Sequence, residues 1–252
     1  VLGLARAMGI TTIVPEDNNL AAALGGLTNG VSLLELATAY TAFANNGIIS
    51  KPLAILKVTD ENDQTLEEAR LIQQTVLRAD VAYIITDMLK GVLETGGTGI
   101  PANIGRPAAG KTGTTDEYET AWFIGYTSEL LTGIYVGNDN RKPVGISGTE
   151  VSAFWGTMMN QVVSASTADF VPPPNIITRL AVCADSGQLA VSSICPEVEY
   201  SAFVRGTEPK AVDYRMQPKQ NTPTQPSKPS QLEPTPRQDR VPWKIPWRLP
   251  GF

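Results

Sequence analysis

Histidine is absent from the 252 residues, and that absence removes whole classes of chemistry. Nucleophile activation by Ser-His-Asp or Cys-His is excluded, as is any His-ligated metal site. A proton shuttle here must be Lys, a carboxylate, Tyr or Cys. Cysteine is nearly absent, with two residues. No run of 18 apolar residues offers a membrane span, and no signal peptide opens the chain. An excess of positive charge is lacking too: 20 Lys and Arg stand against 25 Asp and Glu, a net charge of −5. That balance argues against nucleic acid as the main partner. The first residue is Val1 rather than Met, and VLGLARAMG reads like the tail of a helix already under way. The expectation is a piece of a longer polypeptide, with any targeting information upstream.

What is present describes a folded protein. Apolar residues make up 42% and charged residues 18% of the chain, the balance of an ordinary globular protein. The length allows one large domain or two small ones, with enough core to fold without staples. Composition changes near residue 217. Gln217–Phe252 holds 9 of the 19 prolines and six Lys or Arg against two acids. Proline at that density blocks helix and central strand, so an extended, disordered tail is expected. The folded body then ends by about Tyr214.

Three segments carry helical periodicity. Ser32 and Glu35 fit a capping box, after which Leu33, Leu36, Ala37, Tyr40 and Phe43 fall on one face. Asn46-Gly47 supplies a left-handed stop. A second helix runs from about Asp80, with Val81, Ile84, Ile85, Met88, Leu89 and Val92 at i, i+3, i+4 spacing, and stops at Gly96-Gly97. A third, from about Glu150, places Val151, Phe154, Trp155, Met158, Met159 and Val162 together. Core packing is the reading for all three stripes. Strand-like runs lie between them. Leu53–Asp60 precedes a polar turn at 61–64 and predicts a hairpin. Ala121–Tyr126 and Leu130–Asn138 predict an antiparallel pair across Thr127-Ser128-Glu129. Ile176–Cys183 and Gln188–Val191 flank the turn Asp185-Ser186-Gly187. Hairpins with helices between them favour an α+β fold with an antiparallel sheet.

The densest chemical signal is Gly105–Thr115, GRPAAGKTGTT. Its first eight residues match the phosphate-loop pattern G-x-x-x-x-G-K-[ST]. That pattern needs a strand feeding the loop and a helix starting at the Lys, so that amides and helix dipole meet phosphate. Neither is evident: the upstream Gly96–Pro101 is a loop, and Gly113, Thr114 and Thr115 make a poor first helical turn. Cut differently, Lys111–Thr115 is a strand. Lys111, Gly113 and Thr115 then share one face, and Thr112 and Thr114 the other. At a sheet edge such a strand offers amides and carbonyls to an extended peptide, with Gly allowing close approach and the Thr hydroxyls suited to a carboxylate. A polar turn before Ala121–Tyr126 is the competing local reading. Asp116, Glu117 and Glu119 read as a solvated acidic loop.

AGKTGTTDEYETAWFIGYT, with GIYVGND downstream, resembles the Lys-Thr-Gly region of the penicillin-binding proteins, of the bifunctional class A type. NGVSLLELATAYTAFANNG resembles the helix preceding that region, GTG at 97–99 the turn before it, and Trp155-Gly156 the helix that closes the fold. The resemblance covers roughly 1–165. It implies a β-lactamase/transpeptidase-like α+β fold, of which 1–165 is the C-terminal portion; beyond it the sequence itself divides into a β-rich extension at 166–214 and the Pro-rich basic tail at 215–252. It also implies serine-type D-Ala-D-Ala transpeptidation in peptidoglycan crosslinking, in proteins that also carry a glycosyltransferase domain. Peptidoglycan stem peptides and β-lactams would be its ligands. The setting would be the extracytoplasmic face of the bacterial cytoplasmic membrane, anchored by an upstream segment, and the upstream part of the same polypeptide would be a partner. No cofactor and no metal are implied.

By position, Lys111 and Thr114 take catalytic roles. Lys111 supplies charge and a hydrogen bond near the Ser-x-Asn hydroxyl, and the Thr114 N–H is an oxyanion donor. Thr112, Gly113, Thr114 and Thr115 face the substrate, with Thr112 and Thr114 holding its terminal carboxylate and Gly113 leaving room. Yet no Ser in the chain has Lys three residues later or Asn two residues later. The nucleophile, its Lys base and the middle motif are missing, so this fragment is not expected to acylate by itself. A non-catalytic peptidoglycan- or wall-binding module is the alternative, and a phosphate-loop nucleotide binder a minor one. In the extracytoplasmic setting that the family implies, Cys183 and Cys195 are a candidate disulfide, against two separate thiols. Closing a loop of this size is worth ~3 kcal/mol in the chain-entropy treatment. The terminal Trp243, Lys244, Trp247, Arg248 and Phe252 suit a membrane interface or an anionic wall polymer, with a neutral disordered end as the other reading.

Overall fold

Ser32 opens the longest helix of the N-terminal third as the capping box requires. Its hydroxyl accepts from the Glu35 N–H and the Glu35 carboxylate accepts from the Ser32 N–H. The other Glu35 oxygen accepts from both the N–H and the hydroxyl of Thr11, at 2.9 and 2.6 Å. These donors, Thr11 first, draw its carboxyl down to about 2. The helix ends at Asn46-Gly47, both left-handed, with Gly47 at φ 92°. A Cβ at Gly47 would lie 2.1 Å from the Leu77 carbonyl oxygen, so only glycine fits there.

The computed structural model describes residues 1–191 and 195–212, within a compact unit spanning Val1–Tyr214. Its helices are α1 (Leu2–Ala7), α2 (Leu33–Ala44), α3 (Ala79–Gly91) and α4 (Gly148–Val162). The strands are β1 (Ile48–Ser50), β2 (Lys57–Thr59), β3 (Thr65–Glu68), β4 (Gln73–Thr75), β5 (Ala109–Thr114), β6 (Thr120–Tyr126), β7 (Leu131–Gly137), β8 (Ile176–Cys183) and β9 (Val198–Val204). The expected tail, with its Trp and basic residues, lies outside the described residues.

The central element is the antiparallel sheet β5-β6-β7. Alternation along β6 sends Phe123 and Gly125 to one face, where Trp155 of α4 lies, and Ile124 and Tyr126 to the other. On that second face the Tyr126 hydroxyl meets Thr86 of α3 at 2.9 Å, and Thr86 in turn donates to the Phe43 carbonyl of α2. Burial pushes the Tyr126 phenol well above its ordinary value, which keeps it a donor. The sheet is thus the middle of three layers, helix–sheet–helix. Phe123, Val151, Trp155 and Met159 are fully buried in the main core, and a smaller core joins Met8, Ile10 and Ile13 to Ala39 and Ala42.

Several expected stripes turn out narrower. On α4 the buried line is Val151, Trp155 and Met159, while Phe154, Met158 and Val162 are exposed. Each of these sits one residue, about 100°, away from the buried line, and a helix lying flat on a sheet covers only one side. On α3, Val81 and Met88 are exposed and the buried positions are Ala82 and the polar Asp80 and Thr86. The hairpin expected after Leu53 forms as β2–β3, solvent-exposed along its length. Beyond the 185–187 turn the chain does fold back on β8, but only briefly: Leu189 bridges Val182, the Cys183 N–H donates to the Gln188 carbonyl at 2.8 Å and the Ala190 N–H to the Ala181 carbonyl at 3.0 Å. The longer ladder of β8 is with β9, on its other edge.

Two carboxylates of α3 carry the β8–β9 layer. Asp80 accepts from Nε and Nη2 of Arg78 at 2.9 and 2.8 Å, from the Val81 N–H, and from the Asn175 amide at 2.8 Å. Asp87 accepts from the Ala202 N–H at 2.9 Å. The Arg78 and Asn175 contacts hold the Asp80 carboxyl down at about 2. A folded-state pKa below the ordinary carboxylate value means that this stabilisation is complete above pH ~4 and is lost as pH falls toward 2. Melting temperature should therefore drop across that window. Asp80→Asn should melt lower at pH 7 and show a shallower fall in acid, as read by circular dichroism over a pH series.

The first turn of α4 sits hard against the sheet. A Cβ on Gly148 would lie 2.7 Å from the Gly113 carbonyl oxygen and 2.8 Å from that of Trp122. Gly148→Ala should destabilise the chain by ~1–3 kcal/mol in urea denaturation, the scale of overpacking a rigid contact.

Candidate functional site

The phosphate-loop reading fails on backbone geometry. Residues 105–107 form a bend, and the chain enters β5 at Ala109, so Lys111 stands within a strand and no helix begins there. The polar-turn reading fails for the same reason. The strand reading of the Lys-Thr-Gly segment stands, with β5 starting two residues earlier than expected.

Strand β5 pairs only with β6 among the described residues, so its other edge is open. In register, Thr112 lies opposite Phe123 and Thr114 opposite Ala121, which puts both Thr side chains on the α4 face. Lys111 and Gly113 lie opposite Ile124 and Trp122 on the other face. The Thr115 N–H donates to the Thr120 carbonyl at 3.1 Å. Antiparallel alternation then assigns the ladder bonds to residues 113 and 111, and turns the N–H and C=O groups of Thr112 and Thr114 toward the open edge. Lys111 is exposed, and its ammonium reaches around to the Thr112 carbonyl at 3.0 Å.

Each hydroxyl on the α4 face has a polar neighbour behind it. Thr114 Oγ1 accepts from the Gly148 N–H at 2.8 Å, at the start of α4. Thr112 Oγ1 lies 2.6 Å from Thr98 Oγ1, and the Thr98 carbonyl accepts from the Thr149 hydroxyl at 2.9 Å. Glu150 reaches back to the N–H and hydroxyl of Ser147, lowering its own pKa and closing the helix start. The site therefore gathers Lys111, Thr112, Gly113 and Thr114 along one edge, backed by the positive end of a helix. Such an arrangement can hold an extended peptide and a carboxylate. Thr115 is not part of it: it follows β5, and its hydroxyl accepts from the Thr120 N–H at 2.9 Å in the turn. Asp116 and Glu117 are exposed in that turn, with Glu119 half-buried.

Thr98, Gly148 and Thr149 were not legible as site residues. The 97–99 segment reads as a turn, and nothing in the sequence tells that its Thr meets one 14 residues later. Elsewhere, Cys183 and Cys195 are both buried, but no disulfide joins them in the structure. In the β8–β9 ladder Val198 lies opposite Cys183, and Cys195 precedes β9. Among the described residues no group of three or more His, Cys, Asp or Glu is placed to hold a metal ion. Among the same residues no helix is long and apolar enough to cross a membrane.

The Thr114 contact has a measurable consequence. Thr114→Val leaves the Gly148 N–H without its acceptor at a helix start, so stability should fall by ~1 kcal/mol. Thr114→Ser should restore it, both read by urea denaturation.

Comparison with known proteins agrees with this geometry. Residues 12–147 match the penicillin binding protein transpeptidase domain, and residues 173–218 match the C-terminal domain of penicillin-binding protein 1A. Penicillin-binding protein 1A of Aquifex aeolicus is 35% identical over 214 residues, covering 83% of this chain and 28% of the relative. That of Clostridium acetobutylicum is 32% identical over 177 residues, covering 70% and 22%. The chain thus spans about a quarter of the length of these curated relatives. Among solved structures, penicillin-binding protein 1A from Haemophilus influenzae aligns with a TM-score of 0.67 at 23% identity, over 82% of this chain and 36% of that one. The PonA1 protein from Mycobacterium tuberculosis, in complex with penicillin V, aligns at 0.55 and 25% identity, over 67% and 50%. With its transpeptidase match covering more than half its length and this edge strand in place, the chain belongs to the penicillin-binding protein transpeptidase family.

Proposed function

We propose that this chain supplies one wall of a serine-type D-alanyl-D-alanine transpeptidase site that crosslinks peptidoglycan stem peptides and is trapped by β-lactams. The observation that carries the reading is the open edge of β5. It presents the backbone groups of Thr112 and Thr114 outward, beside two Thr hydroxyls and the Lys111 ammonium. A stem peptide lies along this edge as an added strand. The Thr112 and Thr114 hydroxyls take its terminal carboxylate, and Gly113 leaves room for the chain. The Thr114 N–H is one donor to the oxyanion of the tetrahedral intermediate. Lys111 is a cation at the far side of the strand, where it attracts the carboxylate and favours the deprotonated state of neighbouring catalytic groups.

The nucleophile lies outside these 252 residues, since the chain has neither Ser-x-x-Lys nor Ser-x-Asn. An upstream part of the same polypeptide provides it in this reading. The domain division follows as 1–165 for the transpeptidase part and 166–214 for the β-rich extension. The place of work is the outer face of a bacterial cytoplasmic membrane, where stem peptides are found.

The test is a graft. Residues 1–165 replace the matching segment of the Aquifex aeolicus protein, and the second-order rate of acylation by a labelled penicillin is measured. The ungrafted 252-residue chain, which has no nucleophile, is the blank. The graft should acylate, and Lys111→Ala in it should slow acylation by ~10²-fold or more, the scale of losing a preorganised electrostatic group. A graft whose Lys111→Ala variant acylates within about twofold of the parent would show that β5 is not the catalytic wall.

A further inference from the structure

We propose that Thr98 is a positioning residue for carboxylate recognition, fixing the direction in which the Thr112 hydroxyl points its proton. The inference rests on the reading above, in which Thr112 meets the terminal carboxylate of the substrate.

A hydroxyl has one proton to give and two lone pairs with which to accept. Toward an anion it is useful only if the proton points at the anion. If it points elsewhere, the lone pairs face the carboxylate and repel it. The two Thr hydroxyls of β5 meet this requirement by the same device. Thr114 Oγ1 accepts from the Gly148 N–H, which can only donate, so the Thr114 proton is left to point outward. Thr112 has no backbone donor behind it. What it has is Thr98 Oγ1 at 2.6 Å, a separation at which one of the two hydroxyls must donate to the other. With an anion at the open edge, the arrangement that satisfies every group runs Thr98 to Thr112 to carboxylate. Hydrogen bonds in such a chain polarise one another in the outward direction.

Thr98 is itself held in place. The Thr149 hydroxyl, on the first turn of α4, donates to its carbonyl at 2.9 Å. On either side of it, the Gly97 N–H donates to the Glu94 carbonyl and the Gly99 N–H to the Val92 carbonyl, both at 2.9 Å. A Cβ at Gly97 would fall 2.2 Å from the Val92 oxygen, so the loop packs directly on the end of α3. Helix α4 therefore orients both hydroxyls, Thr114 directly through its first N–H and Thr112 through the 97–99 loop. The function assigned to Thr98 is selectivity for a terminal carboxylate over a neutral terminus. A C-terminal amide offers an N–H₂ group where an acceptor is needed, and it gains little from a fixed outward proton.

The experiment uses the 252-residue chain labelled with ¹⁵N. It is titrated with N-acetyl-D-alanyl-D-alanine and, separately, with the same dipeptide as its C-terminal amide. Backbone amide shifts of residues 111–115 report binding at β5. Wild type should prefer the carboxylate form. Thr98→Val should weaken that form by about tenfold, the scale of one hydrogen bond to a charged group, while the amide form is unchanged. Thr98→Ser, which keeps the hydroxyl, should restore the preference. Thr98→Ala is made alongside, in case the branched Val disturbs the loop, and should show the same loss. A purely structural role would weaken both ligands together. If wild type prefers the carboxylate and the hydroxyl-free variants keep that preference, the role of Thr98 is overturned while the reading of β5 stands. If wild type shows no shift at 111–115 with either ligand, the reading of β5 falls and the role of Thr98 with it.

Discussion

The seat of α4 on β5 is the contact on which the rest of the site depends. Gly148 lies so close to Gly113 and Trp122 that no side chain fits between helix and strand. That approach lets the helix lie flat, so Trp155 reaches Gly125 and packs with its ring tilted 60° to that of Phe123, centroids 5.3 Å apart. The burial that follows is the main apolar core, with Val151, Trp155 and Met159 all fully enclosed. Burying an aromatic of this size is worth ~2–3 kcal/mol, against ~1 kcal/mol for the hydrogen bond from Gly148 to Thr114. Packing thus sets the position of the helix, and the hydrogen bonds take their geometry from it. Polar groups at the edge of β5 are accurate because an apolar core behind them is rigid.

That order of causes explains how a site without histidine can be built. The strand contributes no general base of its own. It contributes direction: backbone groups aimed off an open edge, and hydroxyls whose protons are aimed the same way by donors behind them. The N-terminus of a 15-residue helix adds a fixed partial positive charge at the same end. Lys111 adds a full charge from the opposite face, folding around the edge to the Thr112 carbonyl. Because the side chains of 112 and 114 alternate with 111 and 113, charge and hydroxyls approach the edge from two sides without competing for space.

Much of this was legible in the sequence, and what was not shares a cause. The capping box at Ser32, the left-handed stop at Gly47 and the β6–β7 pair are specified by residues close in sequence, and local rules read them correctly. At Lys111–Thr114 those rules left strand and polar turn open, and pairing with β6 decides for the strand. Thr98, Gly148 and Thr149 are meaningful only because the fold brings a loop, a helix start and a strand edge to one point, a long-range fact that periodicity does not encode. The α4 stripe failed for the opposite reason. Phe154, Met158 and Val162 keep helical spacing as well as Val151, Trp155 and Met159 do, and only the sheet decides which line is covered. The return of Gln188–Val191 onto β8 was legible from the turn between them, and a bridge at Leu189 forms; β9, a distant segment on the other edge of β8, was not.

Helix α3 links the site sheet to the β8–β9 layer, and it does so with polar groups on both sides. Toward the sheet, the Thr86 hydroxyl accepts a hydrogen bond from the Tyr126 hydroxyl and donates one to the Phe43 carbonyl, joining β6, α3 and α2 in one chain of hydrogen bonds. Toward β8–β9, Asp80 and Asp87 accept from Asn175 and from the Ala202 N–H. Asp80 is almost fully buried and Thr86 is buried, so leaving either unpartnered would cost more than the bond itself supplies. Directional bonds of this kind tolerate little sliding, whereas apolar contacts can repack. The described part of the second matched segment, 173–191 and 195–212, is therefore registered against the first through one helix. Helix α3 thus carries on one element the contacts to Tyr126, on the strand that pairs with β5, and those to the β8–β9 layer.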